Sequence, residues 1–284
     1  MNSPLATTPG TLYLVATPIG NRDDITTRAR HVLETVDVIL AEDTRHSLPL
    51  LRMLGIKTPL QSLHAHNENT QSERLIEDLL LGQNFALISD AGTPLICDPG
   101  FPLVRLARQK GVTVVPIPGA CALIAALSAS GLAAEPFTFA GFLPPKKTAR
   151  RKTLEAFKPV NHTLVWYEST HRLEESLEDI ADVFGADTPI VLAKELTKAF
   201  ETFFSGTPKD VLAWLAEDPQ RVRGEFVLMI GARDTENACV SQLEFLLSTL
   251  LEELPLKQAV NIASTLSGQP KNEVYALALR LKSL

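Results

Sequence analysis

Phe85-Ala86-Leu87-Ile88-Ser89-Asp90-Ala91-Gly92-Thr93-Pro94 carries the clearest signal of architecture: an uninterrupted apolar run that breaks into a turn of Asp, Gly and Pro. A short apolar run bounded by turn residues reads as a strand buried on both faces, as in parallel sheets covered by helices. The continuation Leu95-Ile96-Cys97-Asp98-Pro99-Gly100 has no helical pattern. A long Gly/Pro-rich loop therefore sits at the strand's carboxyl end, where glycine lets backbone approach a ligand closely. Pro116-Ile117-Pro118-Gly119-Ala120 has the same character and leads into an apolar helix; it is either a second ligand turn or a hinge.

Outward from this stretch, strand-length apolar runs alternate with helix-period segments, the signature of βα units. Strands are expected at 12–16, 38–41, 85–89 and 112–117, with helices at 26–36, 45–54, 72–81 and 101–110. Ligands in such sheets bind at the carboxyl ends of the strands. Residues 121–131, CALIAALSASG, are apolar nearly all round and read as a helix buried between two halves. A second set follows, with strands at 137–142, 163–168, 190–194 and 226–231 and helices at 149–157, 172–184 and 209–217. The β-rich pieces 202–205 and 225–231 make this second sheet partly antiparallel. After Gly231 the polar run ARDTENACVSQ reads as a linker to a helical appendage: Val260, Ala263 and Leu266 share one face, Ser267-Gly268-Gln269-Pro270 turns, and Val274, Leu277, Ala278 and Leu281 repeat at helical spacing. The expected organisation is an N-terminal α/β domain over 1–118, a second α/β domain over 119–232, and a linker with a helix-turn-helix-like region over 233–284.

The chain has 284 residues, 45% of them hydrophobic, enough for two medium domains. Cys97, Cys121 and Cys239 are far apart, so neither a disulfide framework nor a thiolate zinc site is indicated, and a reducing compartment fits. The first ten residues lack the pattern of a signal peptide, and no apolar stretch is long enough to span a membrane, so a cytoplasmic location is expected. A net charge of −6 argues against a uniformly basic surface, but Lys146, Lys147, Arg150, Arg151 and Lys152 form a local basic cluster.

Several strand ends carry polar groups that either cap helices or face a cleft. They are Glu42-Asp43-Thr44-Arg45, Trp166-Tyr167-Glu168 with Arg172, and Lys194-Glu195-Leu196-Thr197-Lys198. His64-Ala65-His66-Asn67-Glu68 has no clear third ligand and reads as a polar loop at a cleft mouth rather than a metal site. The first strand runs into Thr17-Pro18-Ile19-Gly20-Asn21, without the G-x-G-x-x-G of a dinucleotide site; the P-loop and the G-x-S-x-G elbow are absent too.

In order, LVATPIGN, AEDTR, HAHNE, ISDAGTPLICDPG, PIPGACALIAAL, FAGFLP, YESTHR, AKELTK and GEFVLMIGA resemble the tetrapyrrole-methylase superfamily. More closely they resemble its ribosomal RNA small-subunit methyltransferase I family. The resemblance implies a two-domain α/β fold with a cleft between domains, a C-terminal helical appendage and a homodimer. It implies methyl transfer from S-adenosyl-L-methionine to the ribose 2'-hydroxyl of a decoding-site cytidine in 16S rRNA of the small ribosomal subunit. The cofactor would lie against Pro18, Ile19, Gly92, Thr93, Ile96, Gly119, Ala120 and Cys121, with Tyr167, Lys194, Gly224 and Glu225 on the opposite side. A ribose hydroxyl must lose a proton, so Glu168 is the first expected base, followed by Lys194, Glu195 and Asp43. RNA phosphates would meet Arg45, Arg172, Lys198 and the cluster Lys146, Lys147, Arg150, Arg151 and Lys152, and on the tail Lys257, Lys271, Arg280 and Lys282. Porphyrin and corrin methylases carry G-x-G-x-G-D and G-G-D-P turns where this chain has A-T-P-I-G-N and D-A-G-T-P, which favours RNA. A tetrapyrrole or protein-modifying methylase and a non-catalytic RNA-binding module are the alternatives.

Overall fold

The computed structural model describes residues 8–232 and 235–282. Residues up to Gly231 form one compact unit and those from Ala232 a second.

The first unit holds two five-stranded sheets. The first contains β1 (Thr11–Val15), β2 (Val38–Ala41), β3 (Leu60–Ser62), β4 (Phe85–Ile88) and β5 (Thr113–Ile117) in the order β3-β2-β4-β1-β5, and every pair is parallel. β4 is central and buried at all four positions, as its apolar run requires. Helices cover both faces. On one, α1 (Thr27–Thr35) and α2 (Thr44–Met53) pack Ala29, Val32, Leu33 and Leu51 on Val15, Ile39 and Ile88. On the other, α3 (Glu68–Leu80) and α4 (Phe101–Gln109) pack Leu75, Leu79 and Leu103 on Leu12, Leu40 and Leu87. The adjacent strands β1 and β4 thus send their chains to opposite faces, which opens a crevice at their carboxyl ends, where open α/β sheets bind ligands.

The second sheet has the order β6-β7-β10-β8-β9, from β6 (Phe137–Phe142), β7 (Thr163–Ser169), β8 (Ile190–Lys194), β9 (Thr202–Gly206) and β10 (Glu225–Ile230). β6 and β7 are parallel; the other pairs are antiparallel. Side chains alternate across it. Leu164, Trp166, Leu192, Phe226 and Leu228 face α6 (Lys147–Phe157), α7 (Leu173–Phe184) and α8 (Pro208–Ala216). Val165, Tyr167, Ala193, Val227 and Met229 face α5 (Ala122–Ala129). Helix α5 is apolar all round but not buried all round: Leu123, Ala126 and Leu127 are covered, while Ile124 is 52% exposed.

The second unit is α9 (Thr235–Glu253), α10 (Leu256–Ser267) and α11 (Lys271–Lys282) around Leu247, Val260, Ala263, Val274 and Ala278. Gly268, at φ 70°, ends α10 in the left-handed region. Two expectations change here. Helix α9 begins at Thr235, inside the polar run read as a linker. The buried face of α10 is Ala259, Val260 and Ala263, and Leu266 is exposed.

Candidate active site

The crevice between β1 and β4 is closed at its floor by a reciprocal pair of backbone hydrogen bonds. Thr17 N–H donates to Gly92 O (2.9 Å) and Gly92 N–H to Thr17 O (3.1 Å). Gly92 has φ 81°, and a Cβ there would stand 3.1 Å from Ile19 Cγ2, so glycine both permits the turn and keeps the hollow open. Thr93 Oγ1 donates to Ala120 O at 3.0 Å, tying this loop to the β5–α5 turn. Beyond it Leu95 and Cys97, neither a glycine, are left-handed at φ 72° and 73°. Such strained backbone concentrates at functional sites.

From the second sheet Tyr167 projects towards the same space, edge-on to Phe139 and Phe142, and its hydroxyl accepts the amide hydrogen of Leu123 at 3.2 Å. Burial pushes its phenol well above the usual range. Together with Leu196, Glu225, Phe226 and Val227, these residues and the β4 loop enclose a cleft of about 270 Å³.

Its electrostatics come from acids that the sequence reading did not single out. Asp90 and Asp98 line the cleft, and Glu42 stands close enough to act on both. Burial, then the charge of Glu42, pushes the Asp98 carboxyl up to about 6, against a hydrogen bond with Ser89 that pulls it down. Glu42 is raised too, by burial and by the charges of Asp90 and Asp43. A carboxylate with its pKa near neutrality, in a cleft, is the usual mark of acid–base work. In the sequence, Asp90 and Asp98 were part of a loop with no pattern beyond its Gly/Pro content.

Among the residues expected at the cofactor, Ile19, Gly92, Thr93, Ile96, Cys121, Tyr167 and Glu225 line the cleft. Pro18, Gly119, Ala120, Lys194 and Gly224 do not. Ala120 lies just behind, as the acceptor for Thr93. Gly119 packs on β1: a Cβ there would be 2.8 Å from that of Ala16. Gly224 makes room for the Glu195 side chain, whose Cδ a Cβ would meet at 2.6 Å.

Of the expected bases, Glu168 lines the cleft, and Lys194, Glu195 and Asp43 do not. Adjacent residues of β7 point to opposite faces, so with Tyr167 on the cleft side the Glu168 carboxylate is on the α7 side. There it accepts from Ser176 Oγ (2.6 Å) and from the Ser169 amide (2.8 Å), 3.4 Å from Arg172 Nε. Lys194, in register with Phe226, lies buried on that same helix-covered face. Glu195 accepts from Lys198 Nζ (2.9 Å) and the Glu225 amide (3.0 Å). Burial raises its carboxyl, but those two donors outweigh it and leave it below the usual value. Asp43 caps α2 and chelates Arg45, whose hydrogen bonds hold its carboxyl at about 2.

Of the expected phosphate contacts, Arg150 is corrected by its burial, and the other described ones are exposed or ion-paired. Arg150 is buried, donating to Asp179 (2.7 Å), Glu175 (3.0 Å) and Pro145 O. Arg151 pairs with Asp182, Arg172 with Glu168, Arg45 with Asp43, and Lys198 with Glu195 and Glu225. Lys147, 64% exposed, lies 3.9 Å from Asp179; Lys146 and Lys152 are exposed, as are Lys257, Lys271 and Arg280 on the tail. The side chain of Lys282 lies outside the described residues. His64 and His66 meet edge-on, 5.8 Å apart; neither lines the cleft, but the charge of His64 acts on Glu42, and Glu68 of the same stretch accepts from the Gly100 amide at 2.6 Å.

Two sheets that meet over a cleft at the β1/β4 switch point define a class: residues 11–212 match the family model for Tetrapyrrole (Corrin/Porphyrin) Methylases. Residues 239–282 match the model described as the RsmI C-terminal HTH domain. Among solved structures the fold is shared with a diphthine synthase (TM-score 0.63, 16% identity, covering 78% of this chain and 90% of that one). It is shared too with uroporphyrin-III-C-methyltransferase from Thermus thermophilus (TM-score 0.55, 25% identity, covering 78% and 94%). Proteins named Ribosomal RNA small subunit methyltransferase I are half identical to this chain almost end to end. The one from Haemophilus influenzae is 50% identical, covering 95% of this chain and 96% of its own; that from Pseudomonas aeruginosa is 50% identical, covering 95% and 97%. The chain belongs to the ribosomal RNA small subunit methyltransferase I branch of the tetrapyrrole methylase family.

This family of methyltransferases depends on S-adenosylmethionine, and the cleft suits that molecule. Ile19, Ile96, Leu196 and Val227 offer apolar walls to a flat base, the glycine-lined backbone of residues 91–93 offers amides and carbonyls, and Asp90 and Asp98 suit a cation. Among the described residues no helix is long and apolar enough to cross a membrane.

Proposed function

We propose that this protein methylates the ribose 2'-hydroxyl of a decoding-site cytidine in 16S rRNA of the small ribosomal subunit, in the cytoplasm. The 50% identity, over 95% of this chain, with relatives named Ribosomal RNA small subunit methyltransferase I carries the reading, and the cleft at the switch point supports it. The test is transfer of labelled methyl from S-adenosylmethionine to isolated small subunits that lack the modification, with a precursor porphyrin as control. Label in the porphyrin and none in the subunit would reverse the assignment.

When bound, S-adenosylmethionine supplies a methyl group on a sulfonium, a leaving group that needs no further activation. What remains for the protein is to align the hydroxyl and take its proton. Gly92, Thr93 and Tyr167 shape the pocket, and the Tyr167 hydroxyl, spent on the Leu123 amide, orients the start of α5. Asp98 is the proton acceptor in this reading, ahead of Glu168: both line the cleft, but the Glu168 carboxylate is bound by Ser176, Ser169 and Arg172, while Asp98 has no ion pair among the described residues and is basic above about pH 6. With the donor bound, the Asp98 carboxylate would take the hydroxyl proton as the oxygen accepts the methyl group and the sulfonium leaves as a neutral thioether. The reading keeps two lobes, 1–118 and 119–232, and a homodimer; exposed Ile124 on α5 and Phe101 on α4 supply apolar surface for a partner copy, which light scattering would detect.

A further inference from the structure

Beside the cleft lies a second, more open hollow of about 820 Å³. Its wall comes from the β1–α1 segment, with Asn21, Arg22, Thr26 and Arg30, and from the β8–β9 loop, with Thr197, Lys198 and Ala199. It is continuous with the cleft along the chain at two points: Ile19 lines the cleft and Gly20 the groove, and Leu196 lines the cleft and Thr197 the groove. The two segments touch at that seam. Asn21 N–H donates to Thr197 Oγ1 at 2.9 Å, and a Cβ on Gly20 would stand 2.5 Å from Lys198 Cγ.

Two side chains stand out, Arg22 in the groove and Phe200 on the loop that walls it. Arg22 is exposed, and its guanidinium meets the sulfur of Met53 at 3.3 Å, a weak acceptor; among the described residues it has no ion pair. Arg30 is paired with Glu34 and Lys198 with two glutamates, which leaves Arg22 as the guanidinium in this groove with its charge uncommitted, beside the single acid Asp23. Phe200, next to Ala199, is 75% exposed. Its loop is firmly built: Glu195 and Thr197 are left-handed at φ 50° and 63°, Thr197 N–H donates to Glu201 Oε2 at 2.6 Å, and Glu201 N–H to Lys198 O at 3.1 Å. An exposed aromatic ring on the fixed loop that walls the groove, and an unpaired guanidinium lining it, are the groups that single-stranded RNA uses: a face to stack on and a charge for phosphate.

We infer that this groove is the subsite for the nucleotide adjoining the acceptor, its base stacked on Phe200 and its phosphate on Arg22. The inference rests on the RNA reading above and says how the strand is held once the target ribose enters the cleft. The test uses the full-length enzyme and small subunits lacking the methyl group. Phe200→Ala raises KM for subunits about ten-fold, the scale of one lost base stack, while affinity for S-adenosylhomocysteine and the melting temperature stay at wild-type values. Phe200→Trp restores KM. Arg22→Ala weakens subunit binding and lowers its salt dependence by about one ion. Wild-type KM in Phe200→Ala, from an enzyme that does methylate subunits, overturns the groove alone. A wild-type enzyme that binds S-adenosylhomocysteine but leaves subunits unmethylated overturns the RNA reading and the groove with it.

Discussion

At the carboxyl edge of the parallel sheet, Asp98 faces the cleft without an ion pair among the described residues, and the basic neighbour of Asp90 is His46, 3.8 Å away. At the corresponding edge of the mixed sheet Glu168 is bound by Ser176, Ser169 and Arg172, and Glu195 by Lys198 and the Glu225 amide. The difference follows from topology. Parallel strands at a switch point leave their loops splayed, so Asp90 and Asp98 have no neighbouring strand to pair with, whereas Asp43, at the end of β2, is taken up as the cap of α2. Antiparallel strands return immediately, and each polar residue at their ends meets a partner across the ladder or from the covering helix. Reactive groups should therefore sit on the first edge, and the charges of the second should serve the fold.

The largest expected effect breaks or keeps that division directly. Asp98→Asn should lower the single-turnover rate by about 10²–10⁴-fold, the usual contribution of a general base, with cofactor binding retained. The wild-type rate should rise through about pH 6 as Asp98 loses its proton, and the variant should lack that limb. Stability has the opposite sign. A carboxyl raised from 3.8 to about 6 binds its proton more tightly in the folded state, so the stability it contributes at low pH is lost as pH rises through about 6. Asp98→Asn should melt higher than wild type at pH 7.5 and gain nothing at pH 4. A wild-type rate in the variant would return the base to the second edge.

On that second edge, Arg150→Ala should destabilise the protein by about 3–5 kcal/mol, since it strands Asp179 in the interior. Asp179 is 0% exposed and Arg150 1%. Denaturant unfolding measures this. Subunit binding by the folded variant should be unaffected, in contrast to what the basic run Lys146–Lys152 suggested. A smaller loss, about 1–2 kcal/mol, is expected of Gly92→Ala, which places a Cβ in the left-handed region. The same Cβ lies 3.1 Å from Ile19 Cγ2, so calorimetry should also find weaker cofactor binding.

Most of the scaffold was legible in the sequence because its strands are apolar runs: Val38–Ala41, Phe137–Phe142 and Ile190–Lys194 lie where hydrophobicity puts them. The three-residue strand Leu60–Ser62 escaped because Leu-Gln-Ser has neither an apolar run nor a period. Helix α9 was taken for linker through its first turns because Thr235-Glu236-Asn237 is polar, and polarity does not forbid a helix. The glycine turns of the cleft could be read because a left-handed φ restricts the residue type; Asp98 could not, since its raised pKa comes from burial and from Glu42, far away in sequence. The basic run of α6 looked free because its acids, Glu175, Asp179 and Asp182, are on α7.

The smallest predicted effect concerns Glu168, which lines the cleft yet turns its carboxylate to Ser176. Tyr167 and Glu168 both border the cleft, but as neighbours in a strand they turn their side chains opposite ways. Trp166 and Leu164, buried with Leu177 and Ile180 of α7, already marked the even-numbered face as core. Glu168→Gln keeps an acceptor for the Ser176 hydroxyl and gives up the charge that faces Arg172. Its methylation rate should stay within a few-fold of wild type, while stability falls by about 1–3 kcal/mol, the scale of a weakened buried polar contact. A rate loss as deep as that of Asp98→Asn, with stability intact, would mean that the Glu168 carboxylate leaves Ser176 when RNA binds, and that both edges carry chemistry.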